Sequence, residues 1–394
     1  MFLSMRSTFW KRIEIEWCHD NGDSLDEQGM ANVAEIVPFF LDCTRGAPFS
    51  FTFCAEGCYA EEDIDYDIRP TLVDLINCSE QWEEVSIQLL TTEIVFFCAA
   101  KGHLSQLKKL KINVEKGPEY EYTCGAIPSM VTDVFEDAPL LKDILLWGFS
   151  AWQFKFNWLS LTVITLHQQK NHEETLTILR ETINLVELTI RLTAYLNIKR
   201  GKLVHLPHLE CLSLDDVALL ASLDTPSLQR LRISIDIFTS EPGMIPAFIR
   251  RCGTKLSTLV MYRGSLRYLK EVLLSTPELD HLAFFDVESC ITDVFKWMAG
   301  TEAQKVRFNC LHLAWNRHHW PPVSEALYDL IAHQNPPNNE RSLRPKGLFF
   351  HMPATDQSDV ASLESFCRDR GVRFGFVGEI MMPILPWDAN IYDY

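Results

Sequence analysis

An apolar phrase recurs along most of the chain: an apolar residue, two variable residues, an apolar residue, one variable residue and an apolar residue. The second and third anchors of each phrase are two residues apart, so they point to the same face of a β-strand. The residues between them point to the other face. The phrase therefore predicts a series of short strands with one apolar face each. The nine copies are anchored at Leu107/Leu110/Ile112, Leu141/Ile144/Leu146, Leu161/Ile164/Leu166, Leu185/Leu188/Ile190, Leu209/Leu212/Leu214, Leu228/Leu231/Ile233, Leu256/Leu259/Met261, Leu279/Leu282/Phe284 and Phe308/Leu311/Leu313.

The segments between the phrases favour helices. Glu173–Arg180, Ile245–Arg251 and Leu266–Leu274 have apolar residues at helical spacing. Prolines that end a preceding helix stand just before several phrases, at Pro139, Pro207, Pro226 and Pro277. First anchors lie 19 to 34 residues apart, close to the period of leucine-rich repeats. We therefore expect an α/β leucine-rich-repeat solenoid of irregular repeats, with parallel strands on its concave face and helices on its convex face. The alternative is an ordinary α/β domain with leucine-rich strands.

The two ends of the chain match the phrase less closely. Trp10/Ile13/Ile15 and Trp82/Val85/Ile87 keep its spacing, and Phe49–Phe53 alternates like a half-buried strand. Near the other end, Val360–Cys367 has the pattern of a helix and Val372–Val377 that of a strand. We predict three parts: N-terminal capping and irregular repeats over residues 1–90, the solenoid over 91–325, and a C-terminal capping unit and tail over 326–394.

Composition narrows the classes of partner. The 394-residue chain has a net charge of −17, which disfavours binding to nucleic-acid backbones. It contains no apolar run long enough to span a bilayer, and charged residues follow its first few positions too soon for a secretory signal. Twelve scattered cysteines in a chain of this size are expected to be reduced core residues. We expect an intracellular protein, cytoplasmic or nuclear, with no nucleic-acid or membrane partner.

The sequence offers little catalytic chemistry. Gly253-Thr-Lys255 lacks the upstream glycine of a phosphate-binding loop. Cys54 and Cys58 have no second pair at zinc-ligand spacing, and the acidic segment Glu61–Asp67 lacks the glycine and closing glutamate of a calcium loop. We therefore predict a protein that is not an enzyme and holds no metal or cofactor.

A binding surface is predicted where strand residues point away from the core. These residues stand just before, between and just after the last two anchors of a phrase. They mix aromatic residues with arginine, and this mixture suits a protein partner. We interpret the dense aromatic segment 147–158 as a packed insertion between repeats, except for its first tryptophan. The predicted partner-binding residues are Trp147, Arg191, Arg230, Arg232, Tyr262, His281, Phe285 and His312.

The order of these phrases resembles that of the fungal F-box/leucine-rich-repeat proteins. The resemblance is carried by Phe9–Ile15, Arg45–Phe53, Gln81–Ile87 and the phrase Thr225–Ile233. It implies a non-enzymatic adaptor that recognises substrates for a cullin-type ubiquitin ligase. In that family the F-box binds the linker protein of the ligase; here it would lie before residue 9, so that partner is expected only if an upstream F-box exists. The alternatives are a leucine-rich-repeat adaptor unrelated to ubiquitin, and an enzyme with an unrecognised site.

Overall fold

A computed structural model describes most of the chain. The chain divides into two compact units, residues 1–197 and 198–394. The described residues are 10–16, 27–54, 69–90, 93–115, 133–148, 151–169, 172–192, 203–234, 243–252, 255–262, 266–276, 278–285, 291–300, 306–314, 320–334, 347–351 and 357–377. The acidic segment 61–67, Cys58, most of the phosphate-loop candidate and the tail after 377 lie outside them.

The first unit is a parallel sheet whose strands are neighbours in chain order, with short helices in the connections. Its strands are β1 (Arg12–Glu16), β2 (Phe49–Cys54), β3 (Trp82–Leu90), β4 (Lys109–Glu115), β5 (Asp143–Trp147), β6 (Val163–Gln169) and β7 (Glu187–Leu192). Its α-helices are α1 (Glu27–Thr44), α2 (Arg69–Asn77) and α3 (His172–Glu181). The 3-10 helices of this unit are Ser79–Gln81, Ile94–Ala100, Ala151–Gln153 and Trp158–Ser160.

The second unit repeats this arrangement of parallel strands joined by helices. Its strands are β8 (Val204–His205), β9 (Cys211–Leu214), β10 (Leu223–Asp224), β11 (Arg230–Ser234), β12 (Thr258–Tyr262), β13 (Glu278–Phe285), β14 (Arg307–Ala314), β15 (Gly347–His351) and β16 (Arg373–Val377). Strands β8 and β10 form a separate parallel pair, and the others form one parallel sheet in chain order. Its helices are α4 (Met244–Cys252), α5 (Leu266–Ser275), α6 (Ile291–Ala299), α7 (Trp320–Gln334) and α8 (Gln357–Asp369), with a 3-10 turn at Val217–Ser222.

The anchor residues form continuous ladders across both sheets. Each second anchor pairs with the second anchor of the next strand, and each third anchor with the third. In the second unit one such ladder is Leu212, Leu231, Leu259, Leu282 and Leu311, all buried. Each fully buried leucine contributes about 1.5–3 kcal/mol relative to an exposed one. The register confirms the predicted α/β leucine-rich-repeat arrangement.

The connections are less uniform than predicted. The helices expected at Glu173–Arg180, Ile245–Arg251, Leu266–Leu274 and Val360–Cys367 are present within α3, α4, α5 and α8. Elsewhere a 3-10 turn takes the helix position. Around β9 the first anchors of consecutive phrases, Leu209 and Leu228, lie only 19 residues apart, which is too few for a helix and two turns. The 3-10 helix that follows β9 is capped by Asp216, whose Oδ1 accepts a hydrogen bond of 2.8 Å from Ala218 N.

The second sheet continues beyond the residues where the phrase fades. Strand β15 pairs with β14, and β16 with β15, in the same parallel register. Strand β16 includes most of the predicted strand Val372–Val377. The predicted three-part division of the chain, into residues 1–90, 91–325 and 326–394, stays a prediction.

Candidate functional site

Each sheet has a second face, opposite its leucine ladder. We call this the outward face of a unit. Its residues stand just before, between and just after the second and third anchors of each strand, and their side chains point away from the ladder. In a leucine-rich-repeat arrangement the connections pack on the ladder side, so the outward face is the surface that strand residues can offer to a partner.

An arginine and two aromatic rings stack along the outward face of the second unit. The guanidinium of Arg232 lies over the Tyr262 ring at 4.3 Å from its centroid. Tyr262 stacks in turn on Phe285, with centroids 4.8 Å apart and the rings inclined by 13°. Arg232 and Phe285 are only 6% and 7% exposed. The three groups thus form a well-packed column over strands β11, β12 and β13, with the Tyr262 ring partly exposed.

A small apolar cluster lies beside this column. Val260, Ala283 and Phe285 are buried together, and Tyr262 packs against them. Val260 is only 1% exposed although it is on the outward face. The buried cluster supports the side chains of Tyr262 and Arg232 and restricts their motion. Side chains that are already ordered lose less conformational entropy when a partner binds.

A second row of planar groups crosses the next strands. The His281 and His312 rings lie 5.7 Å apart, and His312 stacks on Phe349 with centroids 4.9 Å apart and an inclination of 20°. Glycines make room for the Phe349 ring. A Cβ at Gly347 would lie 2.7 Å from Phe349 Cε2, and one at Gly375 would lie 3.2 Å from its Cδ1.

One register row of this face contains two arginines and no carboxylate. The position just before the second anchor is paired from strand to strand, so its residues lie side by side across the sheet. We call this set the arginine row; it consists of Cys211, Arg230, Thr258, His281, Cys310, Gly347 and Arg373.

The first unit has a mixed-charge row at the same position of its repeats. Lys109 and Asp143 are neighbours in this row and form an ion pair of 2.8 Å. Three carboxylates and two cations occupy the row, so its charges largely cancel. The mixed-charge row consists of Arg12, Ser50, Glu84, Lys109, Asp143, Val163 and Glu187.

The structure groups six of the eight predicted binding residues. Arg230, Arg232, Tyr262, His281, Phe285 and His312 lie on the adjacent strands β11–β14 of the second unit. Trp147 and Arg191 lie in the first unit, at the ends of β5 and β7, with β6 between those strands. The assignment of all eight residues to partner binding stays a prediction.

Two aromatic residues that contact predicted binding residues, His167 and Phe349, were not themselves predicted. His167 packs edge-on against Trp147, with ring centroids 4.7 Å apart. It stands just after the last anchor of its phrase, so the rule that selected Trp147 also selects it. Phe349 had no such signal, because its strand has proline at the first-anchor position, Pro345, and glycine at Gly347.

The aromatic segment after Trp147 is a packed insertion, as predicted. Phe154, Phe156 and Trp158 are buried. Their rings contact one another and Phe135, with centroids 5.1 to 6.0 Å apart. These rings fill the core of the first unit beside β5 and β6.

The described groups with shifted pKa values include two buried thiols and one surface ion pair. Burial raises the pKa of the Cys252 thiol, and it raises the pKa of Cys367 to about 12. Such thiols stay protonated at neutral pH and are poor nucleophiles. The hydrogen bond from Lys101 Nζ lowers the pKa of the Asp133 carboxyl, but this pair lies at the surface of the first unit.

In the part of the chain that the structure describes, no group of three or more histidine, cysteine, aspartate or glutamate side chains is arranged to hold a metal ion. None of the helices in these ranges has the length and apolar character needed to cross a membrane.

Comparisons with known proteins add little to the geometry. No protein-family model matches the chain, and no curated protein matches it. Among solved structures, the leucine-rich repeat-containing protein LegL7 from Legionella pneumophila is similar over 82% of this chain and 87% of that chain, with 10% identity and a TM-score of 0.33. Similarity at this level supports no inference about this chain, and the repeat assignment rests on the ladder register.

Proposed function

We propose that this chain is a non-enzymatic protein-interaction scaffold that binds a protein partner through the outward face of its second unit. The observation that carries the proposal is the grouping of Arg232, Tyr262 and Phe285 with His281, His312 and Phe349 on neighbouring strands. Arginine and tyrosine dominate the binding energy of protein interfaces, especially where packing holds them in place before binding.

The repeated architecture supports the same function. A sheet of in-register parallel strands presents side chains from many repeats on one continuous surface. The ladder fixes the backbone, so the outward residues can differ from repeat to repeat without altering the core. This arrangement suits recognition of an extended surface on another protein.

A site-specific photo-crosslinker tests the proposal directly. We would place it at Tyr262 or His312 in the second unit and, as a matched control, at Lys111 on the outward face of the first unit. In cells that naturally express the protein, we expect the second-unit positions to trap a protein partner and the control position to trap none. Equal labelling from both faces, or no adduct from the second unit, would contradict the proposal.

A finer form of the proposal assigns the chain to ubiquitin ligation. The resemblance of Phe9–Ile15 and Gln81–Ile87 to the F-box/leucine-rich-repeat proteins supports the role of a substrate-recognition subunit. Co-purification of the cullin-ligase linker protein with the full-length gene product is the expected result. If partner capture succeeds while the linker protein is absent, the scaffold stands as a leucine-rich-repeat adaptor unrelated to ubiquitin.

A further inference from the structure

We infer that Tyr262 contacts the partner through the edge of its ring, while Arg232 and Phe285 are positioning residues that hold the ring from its two sides. The inference rests on the proposed function and deepens it. Each member of the column receives a separate role, and the ring edge names the side-chain chemistry that the partner brings to it.

Burial separates the three members of the column. Arg232 and Phe285 are only 6% and 7% exposed, whereas Tyr262 is partly exposed. Val260 and Ala283, which pack with Phe285, are buried as well. A partner that lies on this part of the outward face therefore reaches Tyr262 and touches little of the other two side chains.

The order of the strands places one neighbour on each side of the Tyr262 ring. Strand β12 lies between β11 and β13 in the sheet. The Arg232 guanidinium comes from the β11 side and lies 4.3 Å from the ring centroid. The Phe285 ring comes from the β13 side, where it is paired in register with Tyr262, and the two centroids are 4.8 Å apart. The two faces of the Tyr262 ring are therefore both occupied.

A ring with both faces occupied offers its edge to a partner. The edge of an aromatic ring carries partial positive charge, and its faces carry partial negative charge. A cation of the partner would need a face of the ring, and at Tyr262 the guanidinium of Arg232 takes that position. The edge instead suits the face of an aromatic side chain of the partner, in an edge-to-face contact.

Arg232 and Phe285 act through Tyr262 because they restrict its ring. A tyrosine that is held in one orientation loses less side-chain entropy when a partner binds than one that rotates freely. This role does not require Arg232 to lack other contacts. Asp215 follows β9 on the same face, and any contact of the guanidinium with this or another group would hold it more firmly.

Fluorine NMR of the full chain tests the positioning in the absence of a partner. We would place fluorotyrosine at Tyr262 alone and compare its resonance in the unaltered protein, in Arg232→Gln and in Phe285→Leu. We expect both substitutions to move the resonance toward its value in the urea-unfolded chain. Arg232→Lys keeps a cation that can lie over the ring and should move it less. Lys111→Gln removes a cation at the corresponding position of the first unit and, as the matched control, should leave the resonance unchanged.

Partner capture tests the separate roles. With the photo-crosslinker at His312, outside the column, we would compare the adduct yield of Tyr262→Ala, Arg232→Gln and the double variant. We expect Tyr262→Ala to lower the yield at least about tenfold and Arg232→Gln about threefold. In the Tyr262→Ala background, Arg232→Gln should add less than about 1.5-fold, because a positioning residue has no effect once the side chain that it positions is gone.

Two further measurements complete the comparison. Circular dichroism and thermal unfolding would show that each variant is folded, and Arg232→Lys and Phe285→Leu provide the same cycle if Arg232→Gln does not fold. Mass spectrometry of the adduct would identify the crosslinked segment of the partner. We expect this segment to contain an aromatic residue whose replacement by alanine lowers the yield as Tyr262→Ala does.

Four results would overturn the inference. They are an unchanged fluorine resonance in the positioning variants, full capture by Tyr262→Ala, an equal loss from Arg232→Gln with and without Tyr262, and a crosslinked segment that contains no aromatic residue. If the crosslinker at His312 still traps a protein in these cases, the proposed function survives and only the roles within the column are wrong. If it traps no protein, the proposed function and the contact at Tyr262 are both wrong.

Discussion

Each unit has a leucine ladder of the same kind, and the two units differ in the residues on the opposite face of the strands. In the first unit the row before the second anchor is a series of opposite charges, with Lys109 and Asp143 in contact. In the second unit the same row has arginines at Arg230 and Arg373 and no carboxylate. In the next row, aromatic rings are found at His312 and Phe349 of the second unit, where the first unit has residues such as Lys111 and Thr165.

This contrast shows how a repeat scaffold separates stability from recognition. The ladder is nearly the same in both units because every strand must bury the same apolar face. The outward residues carry no such constraint. On this face the first unit pairs Lys109 with Asp143 and Arg12 with Glu14, whereas the second unit stacks Arg232, Tyr262 and Phe285.

The largest effect is expected from substitutions in the leucine ladder of each unit. Leu282→Ala in the second unit and Leu188→Ala in the first each truncate a buried leucine. We expect each to lower the free energy of unfolding by about 2–5 kcal/mol, measured by urea-induced unfolding. If one unit tolerated its substitution at a cost below about 1 kcal/mol, the ladder would not be an equivalent core in both.

Sequence periodicity predicts this ladder well because burial dictates it. Strands such as Cys211–Leu214 and Arg230–Ser234 follow directly from the spacing of their leucines. Strand Gly347–His351 escapes prediction because proline stands at its first-anchor position, Pro345, and glycine stands just before its second anchor. Its membership of the sheet comes from register with β14, which no local pattern of the sequence encodes.

The candidate site is only partly encoded in the sequence. The anchor rule selects Arg232, Tyr262 and Phe285 as outward residues, but their stacking depends on three strands lying in register without a shift. Likewise, the arginine row appears only when Arg373 is placed in line with Arg230, across a long stretch of chain. The register between strands depends on the tertiary structure, and a single sequence contains no direct signal for it.

Removing Tyr262 should have the second-largest effect. Tyr262→Ala deletes the stack on Phe285 and the contact with Arg232. Aromatic pairs contribute about 0.5–1.5 kcal/mol and cation–π contacts about 0.5–2 kcal/mol, so we expect a loss of about 1–3 kcal/mol in unfolding free energy.

Tyr262→Phe and Asn113→Ala are the matched controls for this change. Tyr262→Phe keeps both ring contacts and should retain most of the stability. Asn113→Ala alters the position just after the last anchor in the first unit and should change stability by no more than about 0.5 kcal/mol. Equal losses for Tyr262→Ala and Asn113→Ala in thermal unfolding would remove the energetic contrast between the two faces.

The glycines beneath Phe349 provide a finer comparison within the second unit. In Gly347→Ala the new Cβ would approach the Phe349 ring to 2.7 Å, so the ring must move; in Gly375→Ala the approach is 3.2 Å. We expect Gly347→Ala to lower the unfolding free energy by about 1 kcal/mol and to weaken capture of the partner, with Gly375→Ala closer to the unaltered protein. The ratio of crosslinked product measures the effect on capture, and an equal yield from both variants would contradict a role for the Phe349 ring.

The smallest effect is expected from the ion pair of the first unit. Lys109 and Asp143 are both partly exposed, and pairs of this kind contribute about 0–1 kcal/mol. Lys109→Gln should therefore change urea unfolding little and leave partner capture by the second unit intact. A marked loss of capture would place recognition on the first unit as well.

A crystal structure of the chain with the protein that the crosslinker traps tests the central claim most directly. We predict that this partner covers the outward face of the second unit on strands β11–β15 and contacts Tyr262, His312 and Phe349. A partner bound to the outward face of the first unit, or to the helices of either unit, would contradict the account.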